Sequence, residues 1–172
     1  MDLLAPEYGG SGKKRESQTV QDTKARKAQG SDLIFEKGNH VTEIVLEGEL
    51  PNGALDSVRC RIAGVVPFFV MKGMALGRGK PKDAYDIEYV IRNYPGGIES
   101  LVKEFSADAK NTLVLEGLGK IRTKFESINH AGPDDIARFL EISESDDRQL
   151  RKRQAFEIVS KFLDALSIQK FV

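Results

Sequence analysis

The sequence predicts an α+β fold, with a small mixed β-sheet in the N-terminal third followed by a helical, bundle-like C-terminal part. Three observations carry this. Short strand-like apolar segments fall before Gly64, apolar residues at helical spacing fill nearly everything after it, and helix-start signals stand at Pro81 and at Gly132-Pro133-Asp134-Asp135. Strands first and helices afterwards argue for α+β rather than an alternating α/β sheet. The chain divides accordingly into a sheet region, 1–64, and a helical region, 65–172.

The first third is read as follows. Met1 to Pro6 is a short strand stopped by its proline. Glu7 to Arg15 is a basic, glycine-bearing loop, and Lys24, Arg26 and Lys27 prolong its positive character. Within it, Gly9-Gly10-Ser11-Gly12-Lys13-Lys14 fails the phosphate-loop pattern, which needs four residues between its first glycine and the Gly-Lys pair and then Ser or Thr. His40 to Leu50 forms a strand, Pro51-Asn52-Gly53 turns it, and Ser57 to Ala63 returns as the second strand of a hairpin. The connection exceeds a two-residue turn, so register stays open.

Beyond Gly64 the helices follow in turn. Phe69, Val70, Met74 and Leu76 keep a helical period, Gly77-Arg78-Gly79-Lys80 breaks it, and Pro81 opens a second helix at the position where its missing N–H costs nothing. Gly97 to Asp108 comes next, then Asn111 to Glu126 with the stripe Leu113, Leu115, Leu118, Ile121 and Phe125. Pro133 starts a further helix with acids in its first turn, Ser143 to Asp147 is an acidic link, and a last helix spans about Asp146 to Ser167. Its buried side carries Leu150, Phe156, Val159, Phe162, Leu163 and Leu166, and its charges Arg148, Arg151, Lys152 and Arg153 fall on a solvated face. Phe35, Phe68, Phe69, Phe105, Phe125, Phe139, Phe156 and Phe162 are assigned to the core. Tyr85 and Tyr89, four apart, pack on each other.

Composition narrows the function. At 172 residues, 40% hydrophobic and 30% charged, the chain is an ordinary globular one long enough for a single domain with a proper core. A formal net charge of +0 removes any strong whole-protein field, so a nucleic-acid contact needs a local patch. Cys60 is the one cysteine, which excludes an intramolecular disulfide and a cysteine metal cluster; its alternating neighbours predict a buried strand thiol. His40 and His130 are the only histidines, giving little support to zinc sites or Ser-His chemistry. No run reaches membrane-span length and no signal-peptide pattern opens the chain, which places the protein in the cytoplasm.

The candidate site is the junction of the two central helices. Asp83 and Asp86, three apart, are neighbours on one helical face, and Lys72, Arg78, Lys80 and Lys82 surround them. Paired carboxylates among cations suit the joint holding of phosphate and a divalent metal. A plainer role is also open, since a first-turn Asp gains about 0.5 kcal/mol from the helix dipole alone.

Met71-Lys72-Gly73-Met74-Ala75-Leu76-Gly77-Arg78 together with Lys82-Asp83-Ala84-Tyr85-Asp86-Ile87 resembles the AbiEii/AbiGii toxin family of nucleotidyltransferases. The resemblance implies a nucleotidyltransferase-like fold and transfer of a nucleotide from a nucleoside triphosphate to an RNA or protein acceptor, with magnesium as cofactor and an antitoxin protein as partner. It places Lys72, Arg78 and Lys82 on the nucleotide and Asp2, Asp83 and Asp86 among the catalytic residues, with Asp2 the metal ligand. The family's Gly-Ser and Asp-x-Asp motif is missing: Gly10-Ser11 is followed by Asp22-Thr23-Lys24 instead. The chain therefore reads as a truncated or degenerate member lacking the metal-binding half, with a sheet edge at Asp2 open to homodimerisation. The alternative expectation is a non-catalytic protein- or RNA-interaction module, using Lys13 to Lys27 and the basic residues of the last helix as phosphate contacts.

Overall fold

A computed structural model of the chain describes residues 4–6, 17–20, 23–28, 30–34 and 40–167. The architecture is α+β, with strands in the N-terminal part and six α-helices after them. Strands β1 (Leu4–Pro6), β2 (Ser17–Val20) and β3 (Thr23–Ala28) form a mixed sheet in the order β1-β3-β2, β1 running parallel and β2 antiparallel to β3. Lys24, Arg26 and Lys27, expected to prolong a basic loop, lie on β3. Alternation explains this for the middle of the strand: Ala25 is buried while its neighbours Lys24 and Arg26 face outward. Residues 1–3, 7–16 and 35–39 lie outside the described residues, and with them Asp2, the basic loop and Phe35.

Strands β4 (Val41–Glu49) and β5 (Leu55–Ala63) make a separate antiparallel hairpin, not a continuation of the first sheet. The structure supplies the register: Val41 pairs with Ala63 and Glu49 with Leu55. The five-residue connection 50–54 is closed by Leu50 N–H to Ala54 O (2.8 Å) and Gly53 N–H to Leu50 O (2.8 Å). Cys60, expected to be buried, is half-buried, because the described residues leave most of the hairpin's surface exposed.

The helices are α1 (Val65–Ala75), α2 (Pro81–Asn93), α3 (Gly97–Glu104), α4 (Thr112–Lys124), α5 (Ala131–Phe139) and α6 (Ser145–Ala165). Asn111 caps α4, its Oδ1 accepting from Leu113 N–H at 3.0 Å and Val114 N–H at 3.3 Å. The segment 97–108 is a helix to Glu104 and then a separate 3-10 turn, Ser106–Asp108. Helix α5 begins at Ala131, so Pro133 sits third rather than first.

Phe69, Phe105 and Phe162 bring α1, the segment after α3 and α6 together; their ring centroids lie 5.2 to 5.7 Å apart in tilted and edge-on arrangements. Each fully buried phenylalanine contributes about 1.5–3 kcal/mol. Helices α1 and α4 cross where Gly73 faces Gly117: a Cβ on Gly73 would stand 2.2 Å from Gly117 O. Leu115, Phe139 and Leu150, expected inside, are exposed. Leu150 turns away because α6 instead buries Lys152 and half-buries Arg151, next to acids of α2 and α5.

Candidate functional site

Helix α1 delivers Lys72 in its last turn, and a 3-10 turn, Leu76–Arg78, carries the chain out of it. Gly79 closes that turn with φ +71°, a left-handed conformation that glycine adopts without strain. Pro81 then occupies the first turn of α2, and Asp83 follows within that turn. A tight bend between the two helices thus brings Lys72 back over the start of α2.

Four of the residues expected to form the site do meet. Lys72 Nζ donates to Asp83 Oδ1 at 2.6 Å and to Asp86 Oδ2 at 2.7 Å, and Lys82 Nζ donates to both Asp86 oxygens at 2.7 and 2.8 Å. Burial pulls the Lys72 ammonium pKa down, but its hydrogen bonds to Asp83 and Asp86 outweigh this and hold it above the ordinary value. At Asp86 burial pushes the pKa up, and the bonds from Lys72 and Lys82 override it, holding the carboxyl below its ordinary range. Lys72 and Asp86 are thereby both held in their charged forms at neutral pH.

Arg78 is brought to the same bend but joins no ion pair among the described residues; with Gly77, Gly79 and Lys80 it is exposed. Asp2 lies outside the described residues. Behind the bend a cleft of about 430 Å³ opens, lined by Gly73, Met74, Leu76, Gly77, Gly79 and residues of α4 and the α4–α5 loop. The lysines on its wall are engaged: Lys120 donates to Glu116 at 2.7 Å and approaches Met74 Sδ at 3.0 Å, and Lys124 pairs with Asp135 at 2.8 Å. His130 Nδ1 stands 2.9 Å from Lys124 O. The cleft was invisible in the sequence because it joins residues some fifty positions apart; the glycines of 73–79 were its one trace.

The residues described do not fit a magnesium ion. Asp83 Oδ1 and both Asp86 oxygens face ammonium groups, and a second positive charge at the same oxygens is repelled. Among the described residues, no group of three or more His, Cys, Asp or Glu side chains converges to hold a metal.

The other expected patch is also revised. Arg148 donates to Asp134 at 2.8 Å, Arg151 grips Glu88 through two bonds of 3.2 and 2.7 Å, and Lys152, 7% exposed, lies 3.7 Å from Asp134. These three charges of α6 are structural ties to α2 and α5 rather than a solvated face or a free phosphate patch, whereas Arg153 is exposed as expected. Sequence reasoning missed Glu88, which is 1% exposed and also accepts from Arg92 Nε at 2.7 Å. Its four-residue spacing from Arg92 was the only available signal. Among the described residues no helix is long and apolar enough to cross a membrane.

Comparison of the chain with protein-family models, with curated proteins and with solved structures finds no match in any of the three.

Proposed function

We propose that the protein is a nucleotidyltransferase-like nucleotide-binding protein, taking a nucleoside triphosphate at the bend between α1 and α2. The observation that supports this is the placement of Lys72. An ammonium has three N–H donors; two are spent on Asp83 and Asp86, which leaves one for a phosphate oxygen at a fixed position. Arg78, exposed and without an ion pair among the described residues, adds a planar fork suited to a second phosphate. Lys82 is committed to Asp86 and acts by fixing that carboxylate. The adjoining cleft has the size and apolar, glycine-lined character of a base pocket.

In this reading Asp83 and Asp86 orient cations and hold no metal. Function therefore stops at binding for the residues described, and transfer to an RNA or protein acceptor in a toxin–antitoxin setting would need carboxylates other than these. A cytoplasmic setting fits, being where nucleoside triphosphates are abundant and where a lone Cys60 stays reduced.

Isothermal titration with ATP and GTP at up to millimolar concentration tests the proposal, with and without magnesium. Binding is expected in both conditions, weakened at least about tenfold by Arg78→Ala, which touches nothing structural, and lost in Lys72→Ala. No heat at millimolar triphosphate, or binding indifferent to Arg78→Ala, overturns it.

A further inference from the structure

The β4–β5 hairpin is amphipathic, and most of its apolar side is left exposed by the described residues. Cross-strand partners share a face and successive residues alternate. The register therefore places Ile44, Leu46, Val58, Cys60 and Ile62 together on one face, with Thr42, Gly48 and Asp56, and Glu43, Glu47, Glu49, Arg59 and Arg61 on the other, with Val45 and Leu55. Leu46, Val58 and Ile62 are 53%, 54% and 45% exposed. The hairpin is anchored at its base, where buried His40 lies 3.6 Å from Asp108 and its carbonyl accepts from Gly64 N–H at 2.7 Å. A two-stranded ribbon is marginal in water without something against its apolar face. Both outer edges also lack a partner strand among the described residues.

Size and charge decide between occupants. Nine residues per strand make a face roughly 30 Å by 10 Å. Stacking two copies face to face would bury roughly 600 Å², about half of what a stable interface needs. Two-fold edge pairing between copies fares no better, and a head-to-tail pairing of one copy's β4 with another's β5, though charge-complementary, is heterologous and would run on into a ring or filament. A two-fold pairing of β4 centred on Val45 or Leu46 sets Glu43 opposite the other copy's Glu47 or Glu49, and one of β5 centred on Cys60 sets Arg59 opposite Arg61. Like charges directly opposite destabilise a sheet. The free edge of β4 is the more receptive one: Glu43 has only a 3.9 Å contact to Arg61, and Glu47 and Glu49 have no ion pair among the described residues.

We infer that the hairpin is a docking ribbon for a partner protein, which adds an extended segment to the β4 edge. That segment alternates Lys or Arg, over Glu43, Glu47 and Glu49, with aliphatic residues that extend the Ile44–Leu46 face. The backbone ladder supplies affinity and the alternating pockets supply specificity. The ribbon lies apart from the Lys72 bend and its role does not depend on nucleotide binding.

Fluorescence anisotropy with the full chain tests it, using a short labelled peptide that alternates lysine and valine and a control that alternates glutamate and valine. The lysine peptide is expected to bind at least about tenfold more tightly, the worth of two or three cross-strand charge pairs. Glu43→Lys/Glu47→Lys is expected to invert that preference, and Leu46→Ser/Val58→Ser to lose both peptides while helical circular dichroism stays unchanged. Equal binding of both peptides, binding of neither, or binding that survives the Leu46/Val58 changes overturns the inference. So does a concentration-dependent dimer in sedimentation that Leu46→Ser/Val58→Ser abolishes, which would make a second copy the occupant.

Discussion

Lys72 Nζ stands between the carboxylates of Asp83 and Asp86, 2.6 Å from one and 2.7 Å from the other. One cation thereby closes the angle between α1 and α2. Replacing it by a shape-similar neutral side chain, Lys72→Met, leaves the buried Asp83 and half-buried Asp86 carboxylates side by side, with Lys82 still bonded to Asp86. We expect a loss of about 2 kcal/mol, below the cost of a fully buried break because all three groups keep some water. In an Asp83→Asn background the same change is expected to cost markedly less. Equal costs in the two backgrounds, by urea denaturation, would mean that Lys72 and Asp83 are not coupled.

The α1–α4 crossing depends on two glycines. A Cβ on Gly73 would meet Gly117 O at 2.2 Å, and one on Gly117 would meet Val70 Cα at 2.9 Å, so each methyl collides with backbone that cannot swing aside. Gly73→Ala is expected to destabilise by about 3 kcal/mol or more despite alanine's better helix propensity. Gly77→Ala, with nothing near its Cβ position, is expected to be neutral or slightly stabilising. A thermal melt of each variant checks the contrast.

How far the sequence reached follows from which interactions are local. The hairpin turn at Pro51-Asn52-Gly53, the cap at Asn111 and the proline opening α2 are set by a few adjacent residues, and they stand where the sequence places them. The meeting of Lys72 with Asp83 was likewise accessible, because one short loop separates the helices. The face of α6 was not. Its apolar spacing admitted Leu150 as a core residue, and only tertiary contacts turn Lys152 inward to Asp134 and Arg151 to Glu88. The two β4–β5 faces alternate as a half-buried hairpin should, yet the apolar one is open, which no pattern within the strand reveals.

Glu88 and Arg151 form the pair with the least water, Glu88 being held by two bonds from Arg151 and one from Arg92. Glu88→Ala strands an arginine between α2 and α6, and Arg151→Met strands a buried carboxylate; each is expected to cost about 3–4 kcal/mol. The double change Glu88→Met/Arg151→Met removes both charges and restores apolar contact, so its cost should fall to about 1 kcal/mol or vanish. Additive single costs in chemical denaturation would show that the pair is not the tie it looks to be.

Stability is expected to hold a plateau in the neutral range and fall at both ends, for separable reasons. Asp86 is held below the usual carboxylate value of 3.8 by Lys72 and Lys82 against its burial, and Asp134 by Arg148 and then Arg138, again against burial. A carboxyl with a depressed folded pKa stabilises above its unfolded value, so these contributions are complete above about pH 5 and are lost as pH falls below about 4. On the alkaline side Lys72 is raised above 10.5, its bonds to Asp83 and Asp86 outweighing burial, and Tyr94 above 10.0 by burial and then by Glu104. Groups with raised folded values bind more protons when folded, so their contributions are complete below about pH 10 and decline above it. Urea midpoints measured from about pH 3 to about pH 11 should trace both limbs. Asp134→Asn should flatten the acid limb and leave the alkaline one unchanged, whereas Lys72→Met should flatten the alkaline limb and also shallow the acid one, because Asp86 loses its cation. An acid limb that Asp134→Asn leaves at full slope would assign it to other carboxylates.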